Sequence, residues 1–260
     1  MNQMDTPIPD MTEMRKRRSG ARSYPIDLAA PENRERAVDV RLHGIAGANY
    51  YYRKDNPPYN HRAPAAIPEL FVREGVLSRL EEVNAALALD DLEVYLFDAY
   101  RPVQLQNYFH DEWVPSYLRK KNPDWTDEEI LQEVGNYWAR GAADHTKIDP
   151  LSPPPHATGG VVDLTLRSRT TKEELPMGGV FDDVSRISFV DHFEKEGNLR
   201  ALTKHEHEAR KNRRMLYAVM IRAGFTVNPN EWWHYGFGDQ LSSSLLRAPH
   251  AVYSVMQVDQ

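Results

Sequence analysis

Pro155-His156-Ala157-Thr158-Gly159-Gly160-Val161-Val162-Asp163-Leu164-Thr165-Leu166 sets an imidazole after a proline run, then two glycines, then one carboxylate within an apolar, β-branched run. Val161 to Leu166 reads as a short buried strand with Asp163 as its one charge. A buried carboxylate without a partner is costly, so Asp163 needs a cation, a metal or dense hydrogen bonding. His156 lies upstream, across glycines that let the loop fold the imidazole back over the strand. A second constellation, Glu231-Trp232-Trp233-His234-Tyr235, stands near the C-terminus. Two histidines and an aspartate suit zinc with one position left open for water. His156, Asp163 and His234 are therefore the candidate ligands of one zinc ion per chain.

Glu231 and His234 are three apart, and odd spacing on a regular strand puts side chains on opposite faces. Both reach one metal only if the chain bends or starts its strand there, which Asn228-Pro229-Asn230 permits. Glu231 is then the candidate general base. Trp232 and Trp233 would pack around the ligand pair as an apolar shell. Arg101, in Asp98-Ala99-Tyr100-Arg101-Pro102, stands at a strand-to-helix junction and would stabilise a tetrahedral oxyanion; the segment taken alone favours an ordinary structural ion pair.

Composition limits the alternatives. The chain has 260 residues, 41% hydrophobic and 27% charged, as expected of a globular protein. A net charge of -6 argues against a nucleic-acid surface. With no cysteine, thiol nucleophiles and disulfides are excluded, and any metal must use His, Asp or Glu. The N-terminus resembles neither a secretory signal nor a membrane span, so the expectation is cytoplasmic, with no membrane partner. No dinucleotide or phosphate-loop motif occurs.

Along the chain, residues 1–33 read as a flexible lead-in and 34–260 as a single domain with a helical insertion near 114–151. Ala37 to Leu42 alternates as a strand; Tyr50, Tyr51 and Tyr52 read as core more than pocket. Pro68 to Leu89 has helical spacing, Leu92 to Asp98 is a strand, and Val103 to Trp113 a helix. Thr126 caps a helix running to about Ala139, Phe193 to Asn198 reads as loop, and His205 to Arg222 as helix. His205 and His207 lack the spacing that turns two imidazoles to one metal. The expected fold is α+β: a small antiparallel sheet carrying the zinc site, with helices on one side.

These segments, in this order, resemble the VanX-type D-alanyl-D-alanine dipeptidases of the zinc DD-peptidase and hedgehog-like superfamily. The resemblance rests on Asp98 to Pro102, His156 to Asp163 with Leu-Thr-Leu after it, Met177-Gly178 with Phe181-Asp182, and Glu231 to Tyr235. It implies zinc on His156, Asp163 and His234, Glu231 as base, and Arg101 on the transition state. It also implies that Asp182 pairs with the ammonium of a small dipeptide, with Tyr100 and Trp233 beside the substrate. Two features depart from the family. Pro153-Pro154-Pro155 replaces a serine-bearing stretch, and Ala157-Thr158 stands where Ser-Arg is common. The competing readings are a peptidoglycan D,D- or L,D-carboxypeptidase of the same superfamily and a catalytically silent zinc-binding interaction protein.

Overall fold

Five strands form the sheet that carries the site: β2 (Ala46–Gly47), β4 (Leu92–Asp98), β5 (Val161–Ser168), β7 (His234–Gly236) and β6 (Thr226–Val227), in the order β2-β4-β5-β7-β6. The computed structural model describes residues 5–138 and 140–258. β4, β5, β7 and β6 are mutually antiparallel, whereas β2 joins the edge parallel to β4, so the sheet is mixed rather than purely antiparallel. A separate pair, β1 (Ala37–Asp39) with β3 (Phe71–Arg73), is antiparallel.

Alternation gives the sheet two unlike faces. Val94, Leu96, Val162, Leu164, Leu166 and Tyr235 belong to the main apolar core. Helix α2 (Glu74–Leu87) adds Val76, Leu77, Leu80, Val83 and Leu87 to it, at the three- and four-residue spacing of one helix face. Helix α7 (Lys204–Arg222) adds Met215, Leu216, Val219 and Met220, and starts at a Thr203–Glu206 capping box. Each buried leucine or valine contributes about 1.5–3 kcal/mol, so this face holds the sheet rigid beneath the site.

The N-terminal segment departs from expectation. Residues 1–4 lie outside the described residues, but 5–33 are packed on the body rather than forming a free lead-in. Ile8 and Met11 are buried in the main core. In α1 (Thr12–Arg18), Arg15 pairs with buried Asp191, and the Met11 amide donates to Asp191 Oδ2 at 3.0 Å. Ile26 forms a bridge to Ala251 near the other end of the chain.

Elsewhere, the expected helix over 68–89 begins only at Glu74, because Phe71-Val72-Arg73 is drawn into pairing with β1. Residues expected as loop at 193–198 lie in α6 (His192–Leu199), whose Phe193 is buried beside Leu202 and Ala209. The helix from Val103 runs as α3 (Val103–Tyr108), a π-helical turn to Trp113, then α4 (Val114–Lys121). The insertion helix, α5 (Asp127–Tyr137), has the expected Thr126 cap; Ala139, its expected end, lies outside the described residues. Helix α8 is Gln240–Leu246. Among the described residues no helix is long and apolar enough to cross a membrane.

Candidate active site

Strand register builds the first row of the site. Asp163 on β5 sits opposite His234 on β7 and opposite Asp98 on β4, so three ionisable side chains lie abreast across three strands. Asp98 reaches this row through a bulge. Between the pairs Leu96–Leu164 and Asp98–Asp163, β4 advances two residues while β5 advances one. Without the extra residue, Asp98 would pair with Val162 and face the core.

His156 comes from a short 3₁₀ turn, Pro155–Thr158, stiffened by Thr158 Oγ1 donating to the Pro155 carbonyl at 2.6 Å. Gly159 reverses the chain into β5 at φ +69°; a Cβ there would lie 2.2 Å from Met256 Sδ. His156 Nδ1 lies 2.7 Å from the Ala99 carbonyl, which only accepts, so Nδ1 carries the proton and Nε2 presents a bare lone pair. That Nε2 is 3.3 Å from His234 Nδ1 and 3.4 Å from Asp163 Oδ2; His234 Nδ1 is 3.1 Å from Asp163 Oδ1.

The three residues are buried, and one ligand atom from each lies within 4.8 Å of the others. Asp163 Oδ1 is buried with no hydrogen-bond partner, as is the outer nitrogen of His234, Nε2. Burial, aided by Arg101, holds His156 well below the ordinary imidazole pKa, and burial lowers His234 as well. Two neutral imidazoles and a carboxylate, convergent and incompletely hydrogen-bonded, fit a divalent cation of the zinc type.

Glu231 lies in the turn before β7, and His234 is the first residue of that strand, so the chain bends where the three-residue spacing required it. Glu231 Oε2 accepts from Asn228 Nδ2 at 2.8 Å and lies 3.4 Å from His234 Nδ1. Burial raises its pKa above the usual carboxylate value, against the pull of His234 and Arg18.

Arg101 is buried and heavily engaged. Nε donates to Asp98 Oδ2 at 2.8 Å, Nη1 to Gln106 Oε1 at 2.9 Å, and Nη2 to Tyr51 OH at 3.1 Å and Asp163 Oδ2 at 3.3 Å. Its guanidinium also lies 4.8 Å from the ring of Trp138, which lines the same cavity. Asp182 Oδ2 accepts from both Tyr51 OH (2.7 Å) and Tyr59 OH (2.8 Å). The Met177-Gly178 turn that leads to it needs glycine: φ is +78° and a Cβ would meet the Phe193 ring at 2.4 Å. Burial pushes the carboxyls of Asp98, Asp163 and Asp182 up to about 7, against the pull of Arg101.

These groups open onto one cavity of about 700 Å³, lined by Arg101, His156, Asp163, Asp182, Glu231 and His234, with Trp233 in its wall. Trp233 packs edge-on against Phe181, whose chain neighbour is Asp182. Trp232 is buried beside it. Tyr100, expected at the substrate, is not among the described residues lining the cavity; its amide is bonded to the Phe71 carbonyl beside β3. The phenols at the site are instead Tyr51 and Tyr59. Sequence reasoning missed Asp98, Tyr59, Gln106 and Asn228, and placed Tyr51 in the core. Tyr51 is in fact both, with its ring in the aromatic cluster and its hydroxyl on Asp182.

Known proteins match most of this chain. The chain is 30% identical over 220 residues to a D-alanyl-D-alanine dipeptidase of Synechocystis sp., covering 80% of this chain and 83% of that protein. A D-alanyl-D-alanine dipeptidase of Enterococcus faecium is 26% identical over 209 residues, 78% of this chain and 91% of the other. A solved structure of VanYB in complex with D-alanine-D-alanine aligns over 77% of this chain and 90% of that one, at 15% identity and a TM-score of 0.40. The family described as M15 peptidase, D-ala-D-ala dipeptidase, matches residues 36–256. A match of that extent settles the family: the chain belongs to the M15 peptidases of the D-ala-D-ala dipeptidase type.

Proposed function

We propose that this protein is a zinc-dependent dipeptidase that hydrolyses D-alanyl-D-alanine or a similar short dipeptide with a free N-terminus. The observation that carries the reading is the convergence of His156, Asp163 and His234 in a cavity that also holds Glu231, Arg101 and Asp182. His156 Nε2, Asp163 and His234 Nδ1 would hold the zinc. When bound, the ion supplies Lewis-acid polarisation of the peptide carbonyl and makes water more acidic.

Asp182 receives the substrate ammonium. Its Oδ2 is already held by two phenols, so the carboxylate is fixed in direction before substrate arrives. An incoming ammonium favours the ionised form and pulls the raised pKa back down. Glu231 takes a proton from the attacking water and returns it to the leaving nitrogen. Oε2 is held by Asn228, which leaves Oε1 for the transfer. Arg101, anchored by Asp98 and Gln106 in the wall of the same cavity, stabilises the developing oxyanion through its positive charge. Residues 5–258 act in this reading as one peptidase unit, with the 114–151 segment closing one wall.

The test is hydrolysis by zinc-loaded wild type and Glu231→Gln across D,D-, L,D-, D,L- and L,L-dipeptides. The expected result is D-Ala-D-Ala turnover in wild type, reduced by a factor of about 10² to 10⁴ in the variant with zinc retained. Turnover of another stereochemical class only would move the substrate and keep the mechanism. No turnover of any dipeptide at one zinc per chain would favour a silent zinc-binding protein.

A further inference from the structure

A dipeptide is a zwitterion, and the site described so far answers only one of its charges. Its carboxylate must enter a cavity whose wall includes Asp163, Asp182, Asp183, Glu231 and Asp239. Desolvating an unpaired carboxylate among like charges is strongly unfavourable, and a cation is the partner that offsets it best.

The cavity wall offers four arginines: Arg18, Arg22, Arg101 and Arg186. Arg101 is committed to Asp98, Gln106, Tyr51 and Asp163. Arg22 is committed to the carbonyls of Arg140, Gly141 and Ser152, where it ties the insertion to the N-terminal segment. Arg186 is solvent-exposed, where pairing contributes little. Arg18 is half-buried, and no described residue forms a hydrogen bond or ion pair with its guanidinium. It is the last residue of α1, and α1 is fixed in place: Arg15 pairs with Asp191, and Arg17 Nη1 donates to the Leu245 carbonyl at 3.4 Å.

We propose that Arg18 pairs with the α-carboxylate of the leaving residue, so that the N-terminal segment selects substrates ending in a free acid. The segment lies ahead of the family match, which begins at residue 36. Arg18 lines the same cavity as Glu231, His234 and Asp182. The ammonium end and the carboxylate end thus have separate partners, Asp182 and Arg18, with the metal-ligand triad as the third element of the same cavity. A longer peptide continuing past the second residue would put an uncharged amide against Arg18 and leave the half-buried guanidinium without an anion.

This inference rests on the dipeptidase reading, and the experiment separates the two. The kcat and KM of zinc-loaded wild type, Arg18→Ala and Arg18→Lys are measured on D-Ala-D-Ala and on its C-terminal amide, with thermal unfolding as a fold check. Arg18→Ala is expected to lower kcat/KM on the free acid about 10- to 100-fold, mainly through KM. On the amide it changes kcat/KM less than about threefold, and Arg18→Lys restores part of the preference for the acid. Equal losses on acid and amide, or no loss on either, with wild type active, would overturn the role of Arg18 and leave the dipeptidase reading standing. A wild type inert on every dipeptide would overturn both.

Discussion

The two faces of β5 stand next to each other in sequence and apart in every physical respect. Val162, Leu164 and Leu166 meet α2 and α7 in a core of aliphatic side chains. Asp163, between the first two, meets two imidazoles, a guanidinium and the cavity. The apolar face gains free energy from burial, while the polar face gathers carboxyls whose pKa is pushed up to about 7 because burial disfavours their charge. The difference teaches a division of labour within one strand. A rigid, well-packed side holds a costly, incompletely satisfied side at the spacing that chemistry needs.

The sharpest way to break that division is Asp163→Asn. Hydrolysis should fall to background and zinc content should drop far below one per chain by elemental analysis. The unfolding temperature of the metal-free protein should stay the same or rise, because the buried charge is gone. Retained zinc and activity would remove Asp163 from the metal site. The neighbouring substitution, Leu164→Ala, should do the reverse. Urea unfolding should show a loss of about 2–5 kcal/mol, while the folded fraction keeps its zinc and its KM.

A smaller effect is expected where the N-terminal segment docks. Burial raises the Asp191 pKa, but Arg15, the Met11 amide and Lys195 outweigh it and hold the carboxyl below its ordinary value. A carboxyl with a lowered folded pKa binds fewer protons folded than unfolded, so its stabilisation is complete above about pH 4 and fades as the pH falls through the lowered value. Asp191→Asn should cost about 1–3 kcal/mol at neutral pH and abolish the acid-induced loss of amide-exchange protection over residues 8–18. Protection that is the same in both proteins from pH 7 to pH 3 would show that the ion pair does not hold the segment.

Much of the site was legible because period-two alternation and a one-charge strand are strong signals: Asp163 stood out among β-branched neighbours, and the Asn-Pro-Asn turn announced that His234 could start a strand. Asp98 was hidden because a bulge cancels the alternation from which its face would be read. Tyr59 was hidden because its partner, Asp182, lies more than a hundred residues away and only the fold brings them together. The N-terminal segment looked free because its anchors are sparse: Ile8 and Met11 are isolated apolar residues, and Arg15 meets Asp191 across most of the chain. Helix α6 was obscured by Glu194-Lys195-Glu196-Gly197-Asn198, a charged stretch with a poor helix former.

The bulge in β4 amounts to a change of phase in the strand. Up to Leu96, even-numbered residues point into the core; at Asp98, an even-numbered residue points instead toward Arg101 and His156. The odd residue out, Phe97, stays in the main apolar core, with its ring 4.8 Å from that of Phe181, the residue before Asp182. The single added position therefore sets the phase of Asp98, the carboxylate that accepts from Arg101 Nε. Deleting one residue near position 97 should undo that change of phase: Asp98 would then stand opposite Val162 and turn away from Arg101.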